Sequence, residues 1–372
     1  MPDRLRRSRM ELRLEGEIAA SSSLQAACKR AELASCRARL GRFSQARAEL
    51  DALHREWAHR PHVQLSAWTH LAEGLFDHFT GVRTDGTDRV RRAHALCIAG
   101  DLTPLRAICA GWLAQWACAG LDMDRLALHV REALHHAGPQ HHVARSRATL
   151  VAAQALNFAG RMDLAQPWYR RSQDHATDDG DDVTISALMH NRAWQSLLGL
   201  RQFVLTGEGD VNIGRYALAN AESTAHFDDL IGDVSWQELR PILRAQIFSL
   251  QGDAAQAGAL YDAHLPTSKP AVRTQANLLA DHAWCHIRMG RMQEAVVCAD
   301  ESVANLDATP QIDNLAAAHS LLARVFAALG DAARNQSHQA LADQCWARLR
   351  EAQVRAVELL GSLDENGALA PV

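Results

Sequence analysis

Lysine is nearly missing from this chain: of 39 basic residues, all but Lys29 and Lys269 are arginine, a bias that reads as genome composition rather than function. Aromatic residues make up only 5% of the 372 positions, and Val, Ile, Thr, Tyr and Phe are sparse. No stretch alternates apolar and polar residues for six positions between turn signals, which argues against a sheet. No apolar run approaches the roughly 18 residues of a membrane span. The eight cysteines (Cys28, Cys36, Cys97, Cys109, Cys118, Cys285, Cys298 and Cys345) never form a C-x-x-C pair. Most sit among Ala and Leu, where a thiol acts as a small hydrophobe, so a reduced, cytoplasmic protein is expected. A basic excess is also lacking. The formal net charge is -4, which argues against an affinity for nucleic acid built on phosphate neutralisation. Arg4, Arg6, Arg7, Arg9 and Arg13 crowd the first residues, but no apolar segment comes after them, so no secretory signal is expected.

What is present is a helix-forming vocabulary. Ala, Leu, Arg, Gln and Glu dominate, the residues that lose least on entering a helix, so the fold class is all-α. Hydrophobic residues make up 48%, enough for a sizeable core. One phrase recurs: an apolar run, a Gly, a short turn, then a second Ala-rich amphipathic run. It reads RLGRFSQARAEL at 39–50, NFAGRMDLAQPWY at 157–169, SLQGDAAQAGALY at 249–261, RMGRMQEAVVCA at 288–299 and ALGDAARNQ at 328–336. With weaker copies, the glycines fall at 41, 81, 120, 160, 199, 252, 290 and 330, at intervals of 40, 39, 40, 39, 53, 38 and 40. The period is about 40 residues, with one insertion of about 13.

Elementary sterics account for the phrase. Gly after an apolar helix adopts the left-handed conformation at no steric cost, and a short turn returns the chain antiparallel. Ala five residues after the Gly (Ala46, Ala165, Ala257, Ala295) lets two helices approach closely, and Leu50, Tyr169 and Tyr261 fill the groove between them. Such a hairpin cannot bury its own faces, so neighbours stack. Eight units predict 16 or more helices. The first helices end near Leu40, Thr80, Ala119, Ala159, Gly199, Gln251, Met289 and Leu329. Residues 1–23 form a charged segment with a helix from Ser8 to Ala20, 24–360 the solenoid and 361–372 a flexible tail. The insertion falls near 202–234, as a long loop or an added short helix. Residues 340–360 read as a capping helix.

The spacing Gly, Ala at +5, bulky residue at +9 resembles the tetratricopeptide repeat (TPR). The period is longer than the usual 34 residues and is similar to the maltose-regulator-like TPR regions of bacterial regulators and to peptide-binding TPR domains of Gram-positive quorum-sensing proteins. The second, third and fifth units lack the Ala at +5. The resemblance implies a right-handed α-α superhelix whose first helices line a concave groove. In that frame the groove-facing residues are Trp68, His78, Arg147, Gln154, Asn157, His190, Gln246, Asn277, Asp281, Trp284, Arg288 and Arg324. Asn157, His190, Gln246, Asn277 and Trp284 are expected on one concave surface, with Trp284 as the anchor for a partner side chain. The function implied is a non-enzymatic scaffold binding a protein or peptide. The alternative is a ligand-responsive regulatory module, in which a small-molecule effector binds and the protein acts in trans. Neither reading involves nucleic acid or a membrane.

Chemistry-bearing patterns are weak. Gly207-Glu208-Gly209 lacks the strand, Lys and Ser/Thr of a phosphate loop and reads as a turn. Asp178 to Asp182 lacks the spacing of a calcium loop and reads as a solvated linker that caps the next helix. There is no H-E-x-x-H and no G-x-S-x-G, so catalysis has no foothold. Histidine is abundant, at 19 residues. His135, His136, His141 and His142 cluster near Gly138-Pro139, and His282 and His286 share a helix face. In the repeat frame Cys285 points away from that pair, so half-buried inter-helix histidines are expected, with no metal or cofactor.

Overall fold

Helices account for nearly all of the structure, a computed structural model that describes residues 8–81, 86–209, 213–234, 237–266, 274–309 and 311–364. Among the described residues there are 17 α-helices and no paired strand. The first half comprises α1 (Arg9–Ala20), α2 (Ser23–Arg39), α3 (Phe43–Trp57), α4 (Val63–Thr80), α5 (Gly86–Ala99), α6 (Thr103–Ala119), α7 (Met123–His136), α8 (His142–Phe158) and α9 (Met162–Asp179). The second half comprises α10 (Asp182–Thr206), α11 (Ile213–Ile231), α12 (Arg240–Leu250), α13 (Ala254–His264), α14 (Gln275–Arg288), α15 (Met292–Ala304), α16 (Ile312–Ala328) and α17 (Ala332–Leu360). From α2 onward each even-numbered helix packs against the next helix in the chain, giving eight hairpins in an all-α solenoid.

The repeated phrase builds these hairpins as its sterics require. Gly41, Gly81, Gly160, Gly252, Gly290 and Gly330 all have φ between 66° and 92°, the left-handed region that ends a helix. Ala46, Ala165, Ala257 and Ala295 have no exposed surface, and neither do Leu50 and Tyr261 behind them. The small side chain sets the close approach and the large one fills what remains.

Two of the eight glycines act differently. Gly120 has φ -88°, and the left-handed residue is its neighbour Leu121 at φ 57°. Gly199 lies inside α10, seven residues before that helix ends at Thr206 and Gly207 (φ 79°). Burial on either side of Gly199 keeps the helix going. Leu200 and Arg201 are buried, and Leu197 and Leu200 form a cluster with Ala217, Ala221 and Ile247, so stopping at Gly199 would expose that face. The irregular interval is therefore absorbed by a 25-residue α10 and a 19-residue α11 rather than by a long loop or an extra short helix. Residues 210–212 and 235–236 of that interval lie outside the described residues, as do 267–270 of the Pro266–Pro270 linker and 365–372 of the expected tail.

Contacts between distant hairpins distinguish this stack from a nearest-neighbour array. Helix α1 sits on α2 and reaches α10, α10 touches α16, and α17 packs on α16 and also against α7 and α8. Ala352, Ala356 and Leu360 of α17 share a buried cluster with Met123, Leu126 and Leu156 of the third and fourth hairpins. The capping helix thus covers its own hairpin and closes the stack onto its middle.

The turn sterics give a paired prediction. Gly290 and Gly330 have open space around them, so Gly→Ala there should cost only the left-handed backbone, about 1 kcal/mol each in chemical denaturation. Gly16 lies mid-helix in α1 with nothing near its Cβ position, and Gly16→Ala should add about 0.5–1 kcal/mol. Equal effects at all three positions would contradict the assignment.

Candidate functional site

Polar side chains were expected at the inward register of the first helices, and the structure shows what most of them touch. Trp116 Nε1 of α6 donates to His78 Nδ1 of α4 at 3.1 Å. Gln115 Nε2 of α6 donates to Gln154 Oε1 of α8 at 3.1 Å. Asn157 Nδ2 of α8 donates to Tyr169 Oη at 3.1 Å, and that hydroxyl donates to Asn191 Oδ1 of α10 at 3.1 Å. Further along, Arg201 of α10 donates to Gln246 of α12 and, at 3.4 Å, to Asn314 of α16. Asp281 of α14 accepts from Ser249 of α12 at 2.6 Å and from Tyr261 of α13 at 2.5 Å. These residues form a ladder from one hairpin to the next. Buried polar groups need partners, so the ladder also fixes the stacking register.

Exposure divides the ladder in two. Gln115, Trp116, Gln154, Asn157 and Asn191 are half-buried. Arg147, Gln246, Asn277 and Asp281 are buried, so in this structure they face neighbouring helices rather than a water-filled groove. Burial raises the Asp281 carboxyl to about 6 despite its two hydrogen bonds. Asn277 Oδ1 is buried without a hydrogen-bond partner.

The remaining candidates make other contacts. Trp68 is half-buried between two core clusters. His190 Nε2 sits 2.8 Å from Asp228 of α11. Arg324 donates to the Val204 carbonyl at 2.8 Å, tying α16 to the end of α10. Arg288 is exposed beside a shallow surface depression of about 530 Å³ that Gln251 to Ala255 and Met289 also line. Trp284 packs against the buried cluster of Ala276, Ala280, Leu321, Leu322, Val325 and Phe326.

One node is invisible to sequence patterns. Asp181 and Asp182 are buried, not part of a solvated linker. Asp181 caps α10 by accepting from Thr184 N–H at 2.8 Å and lies 3.5 Å from Arg39 at the end of α2. Asp182 accepts from Ser8 Oγ at 2.6 Å and from the Arg9 backbone N–H at 2.7 Å, which docks α1. The Arg147 guanidinium lies 4.0 Å from the Trp112 ring centre, and Arg39 lies on the same ring at 5.9 Å. Burial and the nearby Arg39 charge push Arg147 down to about 9. Two guanidiniums, Arg39 and Arg147, thus stand near two buried carboxylates, Asp181 and Asp182. Asp181 and Asp182 resemble a cap and linker in sequence because Arg39, Ser8 and Arg9, which hold them, are more than 140 positions away.

The histidines form pairs. His142 and His175 bring their Nδ1 atoms to 3.1 Å, and His319 and His338 theirs to 2.9 Å, so in each pair one ring donates and the other accepts. His141 accepts from Ala144 N–H at the start of α8. His282 and His286 stack at 4.2 Å, and the sulfur beside them is Cys298 of α15, not Cys285.

No protein-family model matches the chain, and no curated protein matches it in sequence. No helix among the described residues is long and apolar enough to cross a membrane.

These contacts set two expected outcomes. Trp284→Ala should lower stability by about 2–4 kcal/mol, as for a partly buried aromatic in a core, and calorimetry would show little change if the indole were a free anchor. Burial and the neighbouring His338 push His319 down to about 4. An unfolded histidine titrates near 6.5, so between those values the unfolded chain binds more protons and stability falls as pH falls. From pH 7 to 4.5 the wild type should lose roughly 2–3 kcal/mol more than His319→Asn. The raised carboxyls of Asp179 and Asp281 act in the opposite sense and cancel in that comparison.

Proposed function

We propose that this chain is a TPR-like, non-enzymatic scaffold that binds a protein or peptide partner along the inner face of its third to fifth hairpins. The observation that carries this reading is the half-buried row of Gln115, Gln154, Asn157 and Asn191 beside Trp116. Side-chain amides both donate and accept, so they can exchange their mutual hydrogen bonds for those of an extended backbone at little net cost. Trp116 supplies an aromatic edge for a partner side chain. Relative to the sequence-based groove, the proposed surface is shorter, because α16 and α17 of the same chain are packed onto α7, α8 and α10.

The test is affinity capture from the native cytosol with the full chain, with wild type and Gln154→Ala/Asn157→Ala compared side by side. Both replacements are half-buried, so the fold should survive, as circular dichroism would show. Partners should be captured at least about tenfold less by the double variant. Undiminished capture would move the site elsewhere, and absence of any specific partner would overturn the reading.

A regulatory module responding to a small ligand is the second reading, favoured by the polar contacts that close the stack. Arg355 to Asp124 at 2.5 Å and Gln353 to the Phe158 carbonyl at 2.9 Å join α17 to the middle hairpins through groups that water can replace. A ligand preferring the open or the closed arrangement would shift that balance by its difference in affinity. A metabolite that raises the melting temperature with no partner present, and a double variant that binds as wild type, would favour this reading over the scaffold.

A further inference from the structure

A buried donor cluster in the sixth and seventh hairpins is unused by the partner-binding reading. His282 and His286 stand one turn apart on α14 and are 7% and 4% exposed. Cys298 reaches them from α15, and one ligand atom from each of the three lies within 4.8 Å of the other two. The Cys298 Sγ to His282 Nδ1 distance is 3.8 Å. Metal bonds of about 2.3 Å to sulfur and about 2.0 Å to nitrogen, at a tetrahedral angle, separate the two donors by about 3.5 Å. The spacing is therefore within a small side-chain adjustment of a ligated one.

The polar contacts of the cluster point the same way. His286 Nδ1 is buried without a hydrogen-bond partner, although buried imidazole nitrogens ordinarily have one. Asp262 Oδ1 of α13 lies 3.1 Å from His282 Nε2, out of line for a well-formed hydrogen bond. A carboxylate behind a ligating imidazole is the usual outer partner that holds the ring and raises its basicity. Tyr261 walls the site, its ring 5.3 Å from that of His282. Entry is open, since Cys298 is half-buried and the Asp262 side chain is 50% exposed. Arg291, 3.8 Å from Asp262, has a side chain that is 49% exposed.

We propose that His282, His286 and Cys298 form a binding site for a zinc-class divalent cation, with Asp262 as its carboxylate partner. Two imidazoles and one thiolate are a borderline-to-soft donor set, which suits Zn²⁺ and excludes the oxygen-seeking Mg²⁺ and Ca²⁺. Binding forms a sulfur–metal bond and releases the Cys298 thiol proton to solvent. Both imidazoles enter neutral and keep one N–H each. The ion would join α14 to α15 and, through Asp262, to α13, adding a link between the sixth and seventh hairpins.

The test uses the full chain stripped with chelator and titrated with Zn²⁺, then with Co²⁺ as a spectroscopic probe. The expected result is one equivalent bound with a Kd of about 1 μM or tighter, and a thiolate-to-cobalt charge-transfer band. Cys298→Ser should abolish the band and weaken binding at least about 100-fold, whereas Cys345→Ser, on α17, should change neither. Asp262→Asn, at an exposed position that should fold normally, should weaken binding about 10–100-fold. No stoichiometric binding, or binding and a charge-transfer band that survive Cys298→Ser, would overturn the proposal. Loss of binding in Cys345→Ser as well would do the same.

Discussion

A helical hairpin crossing at alanine cannot shield its own two apolar faces, and the rest of the molecule is a consequence of that constraint. Ala46, Ala165, Ala257 and Ala295 bring paired helices so close that none of the four keeps any exposed surface. Each pair is then left with an apolar flank that only another pair can cover. Stacking answers this for neighbours. The ends of the stack are covered differently, by α1 docking on Asp182 of α10 and by α17 laying Ala352, Ala356 and Leu360 into the third and fourth hairpins.

Closure changes what the inner face can be. In an open array, polar residues at the inward register would be solvated and available to a partner. Here many of them meet side chains from other hairpins: Arg201 with Gln246 and Asn314, and Asp281 with Ser249 and Tyr261. An unpaired polar group at such depth costs about 1–3 kcal/mol, so these contacts hold the register as firmly as the apolar packing does. The proposed binding surface is the part of that ladder which closure leaves half-buried.

The hairpins were legible in the sequence because their cause is local: a Gly that ends a helix and an Ala five residues later act within a dozen positions. Where local and distant demands conflict, the local signal misleads. Gly199 carries the turn phrase, yet Leu197, Leu200 and Arg201 make contacts with α11, α12 and α16 that keep the helix going to Thr206. The inward register was legible as polarity but not as exposure, since Gln246 and Asn277 look the same in sequence whether they face water or another helix. The pairing of Asp181 with Arg39, and of Cys298 with His282 rather than Cys285 with either histidine, depends on how whole helices rotate against one another. No short motif encodes that rotation.

Closure between hairpins far apart in sequence underlies both the shortened inner face and the covered ends, and hydrogen exchange on a truncated chain tests it directly. Deleting residues 348–372 removes Ala352, Ala356 and Leu360, which share the buried cluster of α7 and α8, but leaves the first half of α17, with Trp346, on α16. Exchange should accelerate in α7 and α8, Met123 to Phe158, while α2 and α3 stay as protected as in the full chain. Acceleration confined to α16 and the remaining part of α17 would mean a nearest-neighbour solenoid with no closure, and would contradict the account.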